Sequence, residues 1–300
     1  PNMFRRFFAE GAFNAAFVPM FSARVEGDGD AAAFGRDALA ALALITLALT
    51  GLAMVFMPAL VWATAGGYGP ERFELTVGYG RIVFPYIFFM SLSALFSGVL
   101  NATGRFAAAA AAPVLLNVFV ITAMALAWAV EGPVITWLVW TVPLAGMAQL
   151  ALTWSAAAQA GYPLRLGLPN WSPEMGQLLR TAIPAALATG VMQINLVVGQ
   201  LVASQYDNAV SWLFAADRLY QLPLGVVGIA VGIVLLPDLT RRLTAGDRVG
   251  AQEAYSRASE FSMALTLPSA VALMVIPLPL VSVLFERGAF TSDDTAATAL

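Results

Sequence analysis

Long stretches of this chain are almost uniformly apolar, and the polar positions that interrupt them are few. Runs able to cross the roughly 30 Å of a bilayer's hydrocarbon core lie at 38–63, 82–100, 113–130, 134–158, 181–203, 209–237 and 261–285. Their length predicts α-helices rather than buried strands. The opening stretch is also apolar but carries Arg5, Arg6 and Glu10, and with it the chain reads as eight spans. The longest interruption is 159–180, where Pro163, Pro169 and Pro173 break any helix and Trp171 suits a membrane interface. Ser172-Pro173-Glu174 then reads as a helix start, with a hydroxyl N-cap, a proline at the first helical position and an early negative charge.

The pattern predicts an all-α membrane protein, a polytopic helical bundle of two lobes. Residues 1–158 are expected to form the remainder of an N-terminal lobe, 159–180 a cytoplasmic linker and 181–300 part of the C-terminal lobe. If the spans alternate across the membrane, one set of loops holds nine arginines: Arg24, Arg36, Arg105, Arg165, Arg180, Arg241, Arg242, Arg248 and Arg257. The other set holds only Arg72, Arg81 and Arg287, so the first set is assigned to the cytoplasm by the positive-inside rule. A weak internal repeat supports the two lobes. Val18 to Arg24, leading to Gly27-Asp28, resembles Leu236 to Arg242, leading to Gly246-Asp247. The copies follow the first and seventh spans, and an offset of six helices implies two parallel six-helix halves about an axis normal to the membrane. The chain opens at Pro1 without a methionine or signal peptide and stops a few residues into what reads as a further helix, so an internal piece of a longer protein is expected.

Composition narrows the chemistry. The chain is 60% hydrophobic with only 11% charged residues, far from the soluble average of about a quarter charged. All 15 basic residues are arginine, with no lysine, histidine or cysteine, so disulfides, Schiff-base lysines, Ser/His or Cys/His nucleophilic pairs and Cys/His metal sites are excluded. An enzyme is not expected. A net charge of −3 with arginines scattered among loops gives no basic field for nucleic acid.

What remains is charge inside the apolar spans. An arginine at the centre of a membrane helix costs roughly 2.5 to 3.5 kcal/mol on insertion scales and survives chiefly where it lines a polar cavity. Asn2, Arg6, Glu10 and Asn14 recur every four residues and form one polar stripe on the first helix, with Arg5 on its flank. An amphipathic helix lying on the membrane surface is the competing reading, since phenylalanines fill the rest of this helix. In the seventh apolar-charged helix, Asp217 and Arg218 sit about ten residues into the span, just before Pro223. Neighbours on a helix point about 100° apart, so the two do not simply neutralise each other along one face. Gln193, Asn195 and Gln200 read as interhelical hydrogen-bonding groups, and Gly225, Gly228 and Gly232 as a face for close helix packing.

Several ordered motifs are similar to one family. Pro1-Asn2-Met3-Phe4-Arg5-Arg6 with Phe8-Ala9-Glu10-Gly11-Ala12-Phe13, Phe84-Pro85-Tyr86, Leu100-Asn101 with Arg105-Phe106, Ala112-Pro113 with Leu115-Leu116-Asn117, Ser211-Trp212 with Ala216-Asp217-Arg218-Leu219, Leu235-Leu236-Pro237 and Leu267-Pro268-Ser269-Ala270 resemble the MurJ (MviN) lipid II flippases. The likeness runs nearly the whole chain in order. It implies a member of the multidrug/oligosaccharidyl-lipid/polysaccharide exporter superfamily in the bacterial cytoplasmic membrane. Two pseudo-symmetric six-helix lobes would surround a central cavity, and lipid II would be flipped there by alternating access. It also implies that Arg5 and Arg218 are cationic cavity positions, that Glu10 and Asp217 are the acids beside them, and that Arg6, Asn2 and Ser211 complete the substrate-binding set. The implied partners are lipid II, the bilayer, and proteins of cell-wall synthesis and division. No cofactor is implied, and coupling to membrane potential or to a monovalent cation stays open, because residues 181–203 contain no carboxylate where some relatives bind sodium. An exporter of another polyprenyl-linked glycan or a drug, and a non-transporting scaffold for cell-wall synthesis, remain as alternatives.

Overall fold

A computed structural model describes residues 12–27, 29–229, 235, 239, 241–242 and 244–300. Twelve helices are seen among them: α1 (Ala12–Glu26), α2 (Ala31–Val55), α3 (Met57–Ala65), α4 (Pro70–Val83), α5 (Tyr86–Ala102), α6 (Phe106–Ala129), α7 (Val134–Gln159), α8 (Pro173–Ala203), α9 (Ala209–Ile229), α10 (Arg248–Val275), α11 (Pro277–Phe285) and α12 (Ser292–Ala299). The all-helical architecture agrees with the sequence pattern. Among the described residues, five helical stretches are long and apolar enough to cross a membrane: Ala31–Val55, Pro70–Ala102 (α4 running into α5), Phe106–Ala129, Val134–Gln159 and Arg248–Val275. The expected run at 181–203 lies within the 31-residue α8, Pro173–Ala203, and the run at 209–237 leaves the described residues after Ile229. The run at 261–285 is cut at Ile276, where Pro277 starts a new helix.

The chain divides into two compact units, Pro1–Val202 and Ala203–Leu300. In the first, α5 is the hub and packs against α1, α2, α6 and α7. Phe13, Phe17 and Phe21 recur at i, i+4, i+8 on α1 and stack ring on ring at 5.4 and 5.3 Å, with Phe34 of α2 against Phe17 at 5.7 Å. This ladder joins Leu92, Leu95, Val99 and Leu100 of α5 in the main core. Small residues permit the approach. A Cβ on Gly98 of α5 would lie 2.9 Å from Asn14 Oδ1 and 3.2 Å from the Phe17 ring. The linker does not hang free of this core, since Leu164 is buried in it, as are Met175 and Leu178 from the start of α8.

Several polar groups in the bundle are met by other protein groups, as a bilayer demands. Gln149 of α7 is fully buried; its amide donates to the Ala112 carbonyl of α6 at 2.8 Å and its oxygen accepts from Tyr86 Oη of α5 at 3.3 Å. Thr153, one turn on, donates to Ser93 Oγ of α5 at 3.1 Å. Pro58 gives a second case. It lacks the N–H that would bond the Met54 carbonyl four residues earlier, so the helix breaks at Phe56. Arg81 of α4 supplies the missing donor, its Nε lying 3.1 Å from Met54 O.

Asp30 and Asp247 cap α2 and α10 alike, each accepting a 2.8 Å hydrogen bond from the backbone N–H three residues on. The capping aspartates set the register of the internal repeat as Gly29-Asp30 against Gly246-Asp247, two residues later than the sequence match at Gly27-Asp28. The spread of acids and glycines through 26–30 hid that shift.

Because Arg81 replaces a donor that Pro58 removed, the two positions are coupled. Arg81→Ala is expected to lower stability by about 1 kcal/mol in the natural background and by much less in Pro58→Ala, where the helix regains its own N–H. A double-mutant thermal-melt cycle in detergent measures this, and equal losses in both backgrounds would contradict it.

Candidate functional site

The described part of the candidate site lies on α9. Ser211, Phe214 and Arg218 are spaced i, i+3, i+7 and therefore share one face. Arg218 is exposed on that face, and its guanidinium carbon sits 4.7 Å above the centre of the Phe214 ring, a cation–π contact with the residue one turn back. Ser211 is exposed one turn further back. Asp217 is half-buried on the neighbouring face and accepts a hydrogen bond from the amide of Gln221, one turn ahead. The adjacent acid and base thus take separate partners from their own helix, and among the described residues no carboxylate lies within salt-bridge distance of Arg218.

This arrangement matters chemically. A ring face steadies the cation without using any of its five N–H donors, so the planar fork remains available to an anion. Pro223 adds to the local polarity, since it withdraws the N–H that would bond the Leu219 carbonyl, while the helix itself runs on to Ile229.

The other expected site residues, Asn2, Arg5, Arg6 and Glu10, lie outside the described residues. The last member of their stripe, Asn14, does not. It faces α5 at Gly98, and its Oδ1 is buried without a hydrogen-bond partner among the described residues. Of the expected packing face, Gly232 lies outside the described residues, and a Cβ at Gly225 or Gly228 would meet no described atom within 4 Å. Among the described residues, no cluster of acids suited to a metal ion occurs.

A tie that sequence reading missed holds the start of α9. Trp212 Nε1 donates to Asp294 Oδ1 at 2.7 Å, and Asp294 also completes a capping box with Thr291 at the start of α12. Both ends fall on the arginine-poor side of the membrane, so the contact agrees with the assigned alternation. The separation of 82 residues left no local signal. The Thr291 backbone N–H, then the Trp212 indole and the Thr291 hydroxyl, hold the Asp294 carboxyl below its ordinary value of 3.8.

Fold and site together define a multi-pass α-helical membrane protein with an arginine within one of its apolar runs. A family model described as lipid II flippase MurJ matches residues 1–300. The chain is 45% identical over 303 residues to the probable lipid II flippase MurJ of Rhizobium tropici, covering 98% of this chain and 57% of that protein. It is 35% identical over 315 residues to the lipid II flippase MurJ of Burkholderia cenocepacia, covering all of this chain and 60% of that one. A solved structure of a lipid II flippase MurJ in an inward closed conformation superposes with a TM-score of 0.80 at 26% identity, over all of this chain and 62% of that one. The chain belongs to the MurJ lipid II flippase family, a family of bacterial inner-membrane transporters and not of enzymes. It spans about three fifths of the length of the relatives it matches.

Because the Asp294 carboxyl titrates below its ordinary value, its contribution is fully present above that value and is lost as pH falls through the lowered one. Trp212→Phe, which removes the donor, is expected to lower the melting temperature at neutral pH and to lose this difference from the natural protein in acid. A pH series of thermal melts tests it, and an unchanged melt at neutral pH would contradict it.

Proposed function

We propose that this protein flips lipid II, the undecaprenyl-pyrophosphate-linked peptidoglycan precursor, from the inner to the outer leaflet of the bacterial cytoplasmic membrane. The observation that carries this reading is Arg218 itself. It is a permanent cation on a helix of the bundle, stacked on Phe214 and not paired with its neighbour Asp217. Guanidinium matches the oxygens of a pyrophosphate with two parallel hydrogen bonds and stays charged when partly desolvated. A drug that is itself a cation would be repelled by such a group.

In this reading two six-helix lobes enclose a central cavity. Arg5 and Arg218 bind the pyrophosphate, Glu10 and Asp217 are the acids beside them, and Arg6, Asn2 and Ser211 contact the rest of the headgroup. The undecaprenyl tail stays in the lipid while rocking of the lobes opens the cavity to each side in turn. Residues 1–158 belong to the first lobe and 181–300 to the second, joined by the cytoplasmic linker. The bundle's own helices supply the walls, so coupling to membrane potential or to a monovalent cation needs no bound cofactor.

The test is growth of a bacterium depleted of its own lipid II flippase. The natural protein is expected to restore growth, and Arg218→Ala or Arg5→Ala to lose it while remaining in the membrane. Arg218→Lys, which keeps the charge but not the fork, is expected to retain partial function, with binding weaker by about 10- to 100-fold. Normal growth of both alanine variants would contradict the site and favour a scaffold whose charges are internal ties.

A further inference from the structure

Residues 162–172 leave the helical pattern between α7 and α8 and carry an unusual surface. Leu166 is 62% exposed, Leu168 95% and Trp171 62%, three large apolar side chains within six residues, beside the exposed Arg165. Apolar groups clustered in this way mark a surface that something covers.

The structure fixes the level at which they lie. The linker folds back along the helices instead of extending beyond them. Trp154 of α7, five residues before that helix ends, donates its indole N–H to the Leu164 carbonyl at 3.3 Å. Leu164 itself is buried, its methyl carbons 3.1 and 3.3 Å from where a Cβ on Gly35 of α2 would stand, and Tyr162 packs edge-on against Phe21 at 5.3 Å. The segment therefore runs level with the last turns of α7 and the first turns of α2. Arg36 and Asp37 follow Gly35 on α2, which puts that level among the headgroups, just outside the apolar run that begins at 38.

The backbone keeps the segment out of the hydrocarbon core. From Arg165 to Trp171 no backbone N–H donates a hydrogen bond to another described group, whereas Leu164 and Ser172 on either side do. Unpaired amides are excluded from hydrocarbon but are satisfied by water and phosphate in the headgroup layer. Leucines with a tryptophan and an arginine at that depth are what an interfacial anchor needs, because the apolar groups reach the acyl boundary, the indole sits at the interface and the guanidinium meets phosphate.

We propose that residues 165–171 form a monotopic anchor, laying Leu166, Leu168 and Trp171 into the boundary between headgroups and acyl chains of the cytoplasmic leaflet, with Arg165 on a lipid phosphate. The anchor rests on the membrane reading of the helices and on their assigned orientation, not on lipid II being the cargo. Lipids, rather than a soluble partner, cover the patch because the side chains sit beside the spans at headgroup level.

The test is depth measurement by spin labelling. The sequence contains no cysteine, so Leu166→Cys, Leu168→Cys and a control in the cytoplasmic turn, Ala245→Cys, each give a single thiol for a nitroxide. The intact protein is placed in vesicles of phosphatidylethanolamine and phosphatidylglycerol, and collision with oxygen is compared with collision with a water-soluble nickel chelate. The anchor predicts an oxygen-to-nickel ratio several-fold higher at 166 and 168 than at 245. A water-like ratio at both positions would overturn it. So would shielding from both reagents, whether in vesicles, where it would mean burial against the protein itself, or only in native membranes, where it would mean a protein partner. Loss of flippase activity with a lipid-like ratio intact would bear on the proposed transport and leave the anchor standing.

Discussion

The constraint behind this structure is that a polar group within a bilayer must find its partner in protein, or be there to hold something else. The Met54 carbonyl stranded by Pro58 is met by Arg81, and the Gln149 amide by Ala112 and Tyr86. Asp217 is met by Gln221. Arg218 stands apart because its partner is the face of Phe214, which stabilises the positive charge, and among the described residues no carboxylate pairs with it. In a membrane helix that is a costly state for a purely structural residue, and a useful one for a residue that binds and releases an anion on each cycle.

Arginine serves two purposes in this lysine-free chain. In the loops it closes helix ends. Arg24 Nη1 bonds the Met20 carbonyl at 2.7 Å, Arg105 Nη1 bonds the Gln159 carbonyl at 3.2 Å, and Arg287 Nη2 bonds Val283 at 2.9 Å. There the charge also meets the negative end of the helix dipole. The interfacial arginines thereby fix helix ends, whereas Arg218, within an apolar run, is stacked on Phe214.

Much of the fold was legible because membrane helices announce themselves by length and hydrophobicity. The breaks at Phe56 and Ile276 follow prolines that the sequence displays, although an apolar run gives no sign that a second helix begins within it. Charge inside a span can be read from sequence, which singled out Asp217 and Arg218, while Ser211 entered only with the family resemblance. Their partners were less legible. Gln221 and Phe214 stand one turn from Asp217 and Arg218, and that spacing could have revealed both contacts. Trp212 with Asp294 and Trp154 with Leu164 could not be foreseen, since both depend on how separate elements fold back on each other. At Gly225 and Gly228 the expected packing face meets no described neighbour, since small residues permit close approach without compelling it.

Translocation of lipid II itself tests the central claim most directly. Fluorescently labelled lipid II would be reconstituted with the intact protein in vesicles, and the fraction open to a membrane-impermeant quencher followed in time. The account predicts that the protected fraction falls with the natural protein and stays constant with Arg218→Ala inserted in equal amount. Equal rates for the two, or no movement by the natural protein under an imposed potential or cation gradient, would contradict it.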